Sequence, residues 1–176
     1  YERLGVLSQD PKAIFDGASL GHSRFNRTEE STILSAGLQE AHVHDGIAFL
    51  STEIERLRQH GLLSEELNRA KQELTSSYEQ YKIGEDTLLS HTKADELIRS
   101  YVNDEPVPGT ELEYQMARYF IPRITIEEIN VQVSSILRRG SGVIQLLGPE
   151  KEGLVLPTEQ ELKKIVDESQ SQNLTP

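Results

Sequence analysis

Residues 53–71 read Glu-Ile-Glu-Arg-Leu-Arg-Gln-His-Gly-Leu-Leu-Ser-Glu-Glu-Leu-Asn-Arg-Ala-Lys, and two helices meeting at a glycine can be read from that stretch. On its left, Ile47, Leu50, Ile54 and Leu57 recur at the spacing of one helical face, with Asp45 placed to cap the start. Gly61 follows the last periodic residue, where a left-handed backbone closes a helix. On its right, Ser64 offers a second cap, and Leu67, Ala70, Leu74, Tyr78 and Tyr81 form the next apolar stripe.

Working toward the C-terminus, Gly84 interrupts this stripe. The stripe resumes at Leu88 and runs through Leu97, Ile98 and Tyr101, which predicts one long helix or two collinear ones with a weak point near Gly84. The two prolines within Asn103 to Gly109 make a firm break. A shorter helix is predicted over Glu111 to Phe120. Another opens with the capping box of Thr125 and Glu128 and buries Ile129, Val133, Ile136 and Leu137. Gly140-Ser141-Gly142 reads as a turn, and Val143 to Leu147 as a short buried strand stopped by Gly148 and Pro149. Pro157, Thr158 and Glu161 start a last amphipathic helix through Val166, whose thin apolar face is expected to lean on something outside the sequence; Ser169 to Pro176 reads as linker.

Toward the N-terminus, Ala18 to Leu38 fits two strands joined by a polar turn at Asn26 to Glu30, and Ser8, Gln9, Asp10 and Pro11 favour a turn before them. Helices grouped between strands indicate an α+β layer, with helices on one face of a mostly antiparallel sheet, rather than a parallel α/β fold.

Composition narrows the function classes. The 176 residues are 36% hydrophobic and 27% charged, the balance of a globular protein, with no apolar run near the ~20 residues that cross a bilayer. A net charge of −11 repels phosphate backbones, which argues against nucleic acid as a partner. The absence of cysteine removes disulfides, thiolate zinc sites and cysteine nucleophiles together.

The residues that could carry chemistry are few. A zinc peptidase site needs two imidazoles one helical turn apart and a carboxylate to take a proton from the bound water. The histidines are His22, His42, His44, His60 and His91, and none stands in H-x-x-E-H or H-E-x-x-H. His42 and His44 beside Asp45 could share a face in a strand; a solvated turn leading into the next helix explains them more simply. The acid pairs Glu65 and Glu66, and Glu127 and Glu128, sit where first turns of helices favour carboxylates, and Glu29 and Glu30 fit a solvated turn. Tyr78, Tyr81, Tyr101, Tyr114 and Tyr119 fall largely on apolar helix faces, where packing is the default. No G-x-S-x-G elbow or phosphate-binding glycine loop is present. The sequence therefore nominates no catalytic, cofactor-binding or metal-ligating residue.

The 53–71 stretch also resembles a signature of the pitrilysin/insulinase zinc peptidases, in which a helix ends at a glycine and s-x-x-E-L-x-r-A-K opens the next. Gly61, Ser64, Glu66, Leu67, Ala70 and Lys71 fill those places. Ile124 to Asn130 resembles a later helix start of the family, and Val143 to Pro149 its closing strand, in the same order. The resemblance implies a clamshell of paired α+β domains in which one domain carries zinc on H-x-x-E-H and a neighbour shares the fold without the metal. It makes residues 11–150 the later part of that non-catalytic neighbour. Residues 1–10 become a partial lead-in, and 151–176 a linker toward a following half. It implies a zinc-dependent metalloendopeptidase as the parent, with zinc bound outside this sequence, and places the parent in a bacterial periplasm or envelope. Its partners would be other domains of its own chain and a peptide or unfolded substrate, with a homodimer as a further option. The rival reading is a catalytically inactive assembly subunit of the same superfamily. A third, an unrelated helical binding module, predicts no sheet completed by Val143 to Leu147.

Overall fold

The structure, a computed structural model, describes residues 2–9, 13–24, 29–87, 90–138 and 142–176. It divides into two compact units, one of residues 1–62 with 130–176 and one of residues 63–129. The architecture is α+β, mostly helical, with one two-stranded antiparallel sheet.

In the first unit, β1 (Phe15–Arg24) pairs with β2 (Glu30–Leu38) from Phe15 opposite Leu38 to Arg24 opposite Glu30, with an irregularity between Phe15 and Gly17. Of the polar turn predicted at Asn26 to Glu30, residues 26–28 lie outside the described residues, and Glu30 is already the first residue of β2. A 3-10 turn over Glu40–His42 leads into α2 (Val43–His60), so the helix begins before Asp45. Asp45 is a first-turn acid rather than the predicted cap. Gly46, buried in the first turns of α2, meets Leu38 so closely that a Cβ there would lie 2.6 Å from Leu38 Cδ2.

A six-residue helix missed by the periodicity reading, α1 (Glu2–Leu7), contributes Leu4, which is fully buried with Phe15 and Leu50. Around them pack Leu7, Ile14, Ala18, Leu20, Leu38 and Phe49, the two phenylalanine rings lying 5.7 Å apart. Six residues are too few to display a helical period, so nothing in Glu2–Leu7 singles out Leu4 for burial.

The stripe of α2 behaves as its spacing predicts at Leu50 and Leu57, which are buried, while Ile47 and Ile54 are partly buried. Gly61 does close the helix, with φ at +70° and its N–H donating to the Leu57 carbonyl at 2.8 Å. A Cβ there would lie 2.5 Å from Asn130 Cγ, and Asn130 uses its amide to accept from Leu62 N–H at 2.7 Å and donate to Leu62 O at 3.2 Å.

Two expectations for this unit fail. Val143 to Leu147 forms no strand: Val143 is 95% and Leu147 81% exposed, because among the described residues β1 and β2 pair only with each other and an extended run becomes a strand only when a ladder takes up its backbone groups. The last helix, α7 (Glu159–Gln170), finds its surface within the sequence, on α2, where Leu162, Ile165 and Ser169 are buried. Its start is as predicted: Thr158 Oγ1 accepts from the Glu161 N–H and the Glu161 carboxylate accepts from the Thr158 N–H.

In the second unit, α3 (Ser64–Ile83) ends at Gly84, a 3-10 turn follows over Glu85–Thr87, and α4 (Ser90–Asn103) resumes, so the break lies where the glycine predicted it. Ser64 is already the first helical residue. The cap position is Leu63, whose N–H donates to the Glu66 carboxylate at 2.8 Å. α5 (Thr110–Phe120) packs on α3 and buries Ala117, with Ile121 buried in the 3-10 turn Ile121–Arg123 just after it; Lys71 Nζ donates to Pro122 O at 3.2 Å. Thr125 and Glu128 form the predicted reciprocal cap of α6 (Ile126–Ile136). Ile129 of this unit, and Val133, Ile136 and Leu137, which belong to the first, are only partly buried, short of the burial predicted for them.

Candidate functional site

The histidines are dispersed. His22 lies in β1, His42 in the 3-10 turn and His44 in the first turn of α2, with His44 Nδ1 3.5 Å from the Asp45 carboxylate. No strand carries the His42 and His44 pair. His91 is exposed on α4. Among the described residues no three His, Asp or Glu side chains converge in a way that could hold a metal ion. This donor set does not fit a zinc peptidase site, and no step through zinc is derived on it.

One arrangement lines up a carboxylate, an imidazole and a hydroxyl: Glu30 Oε2 is 3.4 Å from His22 Nε2, and His22 Nδ1 is 2.9 Å from Thr32 Oγ1. Nucleophilic use would require Thr32 to donate its proton to His22. The Thr32 hydroxyl also lies 3.3 Å from Ile136 O, which competes with His22 Nδ1 for its single proton. The three residues are a cross-strand polar set on the hairpin surface.

The acid pairs divide by role. Glu66 is buried as the acceptor for Leu63, Glu128 caps α6, and Glu30 faces His22. Sequence reading missed two buried acids on α2, Glu53 and Glu55, which are 4% and 3% exposed. Arg56 pairs with Glu53, and Arg58 forks onto Glu55 at 2.5 and 2.7 Å, with Gln59 donating to the same carboxylate at 2.7 Å. That hydrogen bond holds the Arg58 guanidinium even more firmly protonated than usual.

This end of α2 grips the C-terminal residues. Arg56 donates to Thr175 O at 2.9 Å, Gln59 to Gln172 O at 2.7 Å, and His60 Nε2 lies 2.6 Å from Leu174 O; Leu174 N–H returns a bond to Gln59 at 3.1 Å. The i,i+3 pairs Glu53–Arg56 and Glu55–Arg58 were visible in the sequence as helix-surface ion pairs. Nothing local said that the two carboxylates would be buried.

In the second unit, a groove of about 370 Å³ opens between α3, the proline loop and α5. Leu74, Tyr78, Pro106, Met116 and Phe120 line it, with Glu113 as its one charged group. Elsewhere on α5 the charges are engaged. Glu111 meets Lys82 at 2.5 Å and Gln115 at 2.7 Å, which holds its carboxyl below the usual range, and Lys82 and Arg118 lie 4.7 and 5.7 Å from the Tyr114 ring centre. Of the five tyrosines expected on helix faces, Tyr78, Tyr81 and Tyr114 are partly buried. Tyr101 is 92% and Tyr119 55% exposed, contrary to the packing expected for them.

No family model matches this chain. Over 98 residues, 55% of the chain, it is 29% identical to the zinc protease PQQL-like protein of Arabidopsis thaliana, of which it spans 10%. Among solved structures it superposes over 99% of its length on the periplasmic protease PqqL of Escherichia coli, with a TM-score of 0.82, 15% identity and 19% of that chain covered. The first half of the same protease gives a TM-score of 0.75 at 14% identity, with 38% of it covered. A predicted insulinase family protease from Yersinia pestis gives 0.72 at 14% identity over 95% of the chain, covering 35% of that protein. The chain therefore has a pitrilysin/insulinase-like α+β fold and spans between about a tenth and two fifths of these relatives. The missing strand at Val143 to Leu147 does not speak for an unrelated helical module, because the likeness extends over nearly the whole chain.

Proposed function

We propose that this chain forms wall and scaffold of a peptide-degrading chamber in a pitrilysin/insulinase-type zinc metalloendopeptidase, with the zinc and the general base supplied elsewhere in the same polypeptide. The observation that carries the reading is the likeness over 99% of the chain to a protease of which it covers 19%. Within this reading, residues 11–150 are the later part of a non-catalytic α+β domain and 151–176 lead toward a second half. The likeness to the first half of PqqL supports that order. The connection is stiff in this reading, because α7 packs on α2 and residues 172–175 are held by Arg56, Gln59 and His60. The partners are the other domains of the chain and a peptide substrate.

A periplasmic or envelope location follows by analogy with the Escherichia coli protease. No helix among the described residues is long and apolar enough to cross a membrane.

The test compares the full-length protein with the 176-residue chain, measuring zinc by calorimetry and cleavage of a quenched fluorescent peptide. Zinc and turnover in the full-length protein alone support the proposal. Stoichiometric zinc with cleavage by the short chain overturns it, and silence from both identifies the inactive assembly subunit.

A further inference from the structure

We infer that the groove between α3 and α5 is a subsite for a lysine or arginine side chain of an extended peptide. Its walls are apolar but not covered: Leu74 and Met116 are each 46% exposed and Phe120 55%. Such surface in a concave site is matched by a ligand that brings apolar area. The wall at Pro106 and Pro108 has restricted backbone freedom, so little ordering cost accompanies binding there.

Glu113 sets the polarity of that ligand. It is partly buried on the groove wall, and among the described residues its carboxylate has no hydrogen bond or ion pair. A neutral apolar side chain entering beside it would strip water from an unpaired carboxylate, which is costly. A lysine or arginine avoids that cost, because its methylene stem packs on Leu74, Met116 and Phe120 while its cation meets Glu113.

The aromatic rings point the same way. Arg123 lies over the Tyr119 ring at 3.8 Å and Lys82 and Arg118 flank Tyr114, so the chain's own cations already occupy those two faces. Tyr78 and Phe120, inside the groove, hold no cation among the described residues, which leaves their faces open to one from a ligand. Residues 63–129 contain twice as many acids as lysines and arginines, and a field of that sign draws cationic segments in. Met116, unbranched and polarizable, fits its flank to either stem.

The source of the ligand rests on the proposed function, since a peptidase chamber is what presents extended peptides. The two fail separately: the groove is tested on the chain itself without zinc or cleavage, and the chamber reading on the full-length protein.

Met116 is the single methionine of the chain, so a ¹³C-methyl label on methionine gives one resonance that reports the groove. The probe is the capped peptide Ala-Leu-Lys-Leu-Ala, alongside versions carrying norleucine or glutamate in place of lysine. The lysine peptide is expected to shift the resonance saturably, the norleucine peptide about fivefold more weakly and the glutamate peptide weaker still. Glu113→Gln, which keeps the shape, should bring the lysine peptide down to the norleucine level. In the unaltered chain, raising salt from about 0.02 to 0.5 M should weaken the lysine peptide alone. Equal binding of lysine and norleucine, no saturable shift, or a salt-independent affinity overturns the inference. So does a Met116 shift that follows chain concentration without peptide, because a second copy then fills the groove.

Discussion

Helices α2 and α4 are both amphipathic, yet their stripes end in opposite surroundings. In α2, Leu50 is 4% and Leu57 3% exposed; in α4, Leu97 is 63%, Ile98 59% and Tyr101 92% exposed. What differs is the neighbour. Leu50 of α2 packs with Leu4 and Phe15, and α7 lies along α2 with Leu162 and Ile165 buried, whereas among the described residues no element lies along α4. A 3.6-residue period states that a helix has an apolar face, and only a second element turns that face into core.

Truncating the buried stripe should produce the largest effect. Leu57→Ala is expected to cost about 2–5 kcal/mol through lost transfer energy and the cavity left behind. Urea unfolding followed by circular dichroism measures it, and a loss below ~1 kcal/mol would mean that the α2 stripe is not covered at Leu57 in solution. Next comes the junction that aims α2: Gly61→Ala combines a strained backbone at φ +70° with the approach of Asn130, at about 1–3 kcal/mol. Adding Asn130→Ala should recover only the steric part. Full recovery in that double-mutant cycle would show that the left-handed backbone costs nothing there.

The cap of α7 sharpens the comparison further, since it starts the helix that covers α2. Thr158→Ala should cost about 1 kcal/mol at neutral pH. The Thr158 backbone N–H and hydroxyl hold the Glu161 carboxyl below its ordinary value near 4.5. A depressed carboxyl stabilises fully above its unfolded value and loses that contribution as pH falls through its folded one. The penalty of Thr158→Ala should therefore be full at pH 7 and shrink below about pH 4.5, and a penalty that stays constant down to about pH 3 would dissociate the cap from Glu161. The smallest effect belongs to α4, where Leu97→Ala is expected to stay within about 0.5 kcal/mol. A cost rivalling Leu57→Ala would show that the α4 stripe is covered in solution.

The same contrast explains what could be read early. The stop at Gly61, the break at Gly84 and the caps at Thr125 and Thr158 are local, each settled by residues within a turn of one another. As caps, Asp45 missed by three residues and Ser64 by one, because a 3-10 turn advanced one helix start and Glu66 satisfied the other from inside. Val143 to Leu147 was misread for a different reason. A β-branched run describes a strand only when a neighbouring strand accepts it, and that neighbour is not specified within the run. The groove was half legible: Tyr78 and Leu74 shared a predicted stripe, while the approach of Pro106, Met116 and Glu113 to them could not be derived from spacing.

The sequence by itself determined the order of the helices from α2 to α7, the glycine break points, two of the caps, the absence of thiol chemistry and the resemblance centred on residues 53–71, because each depends on side chains close along the chain or on composition alone. Only the tertiary structure decided that Leu4 is core, that Glu53 and Glu55 are buried and paired with partly buried arginines, that α7 packs on α2, and that Glu113 lies in an apolar groove without a partner among the described residues. Those outcomes depend on which distant segments exclude water from one another, and burial is a property of the pair of surfaces rather than of either stretch alone.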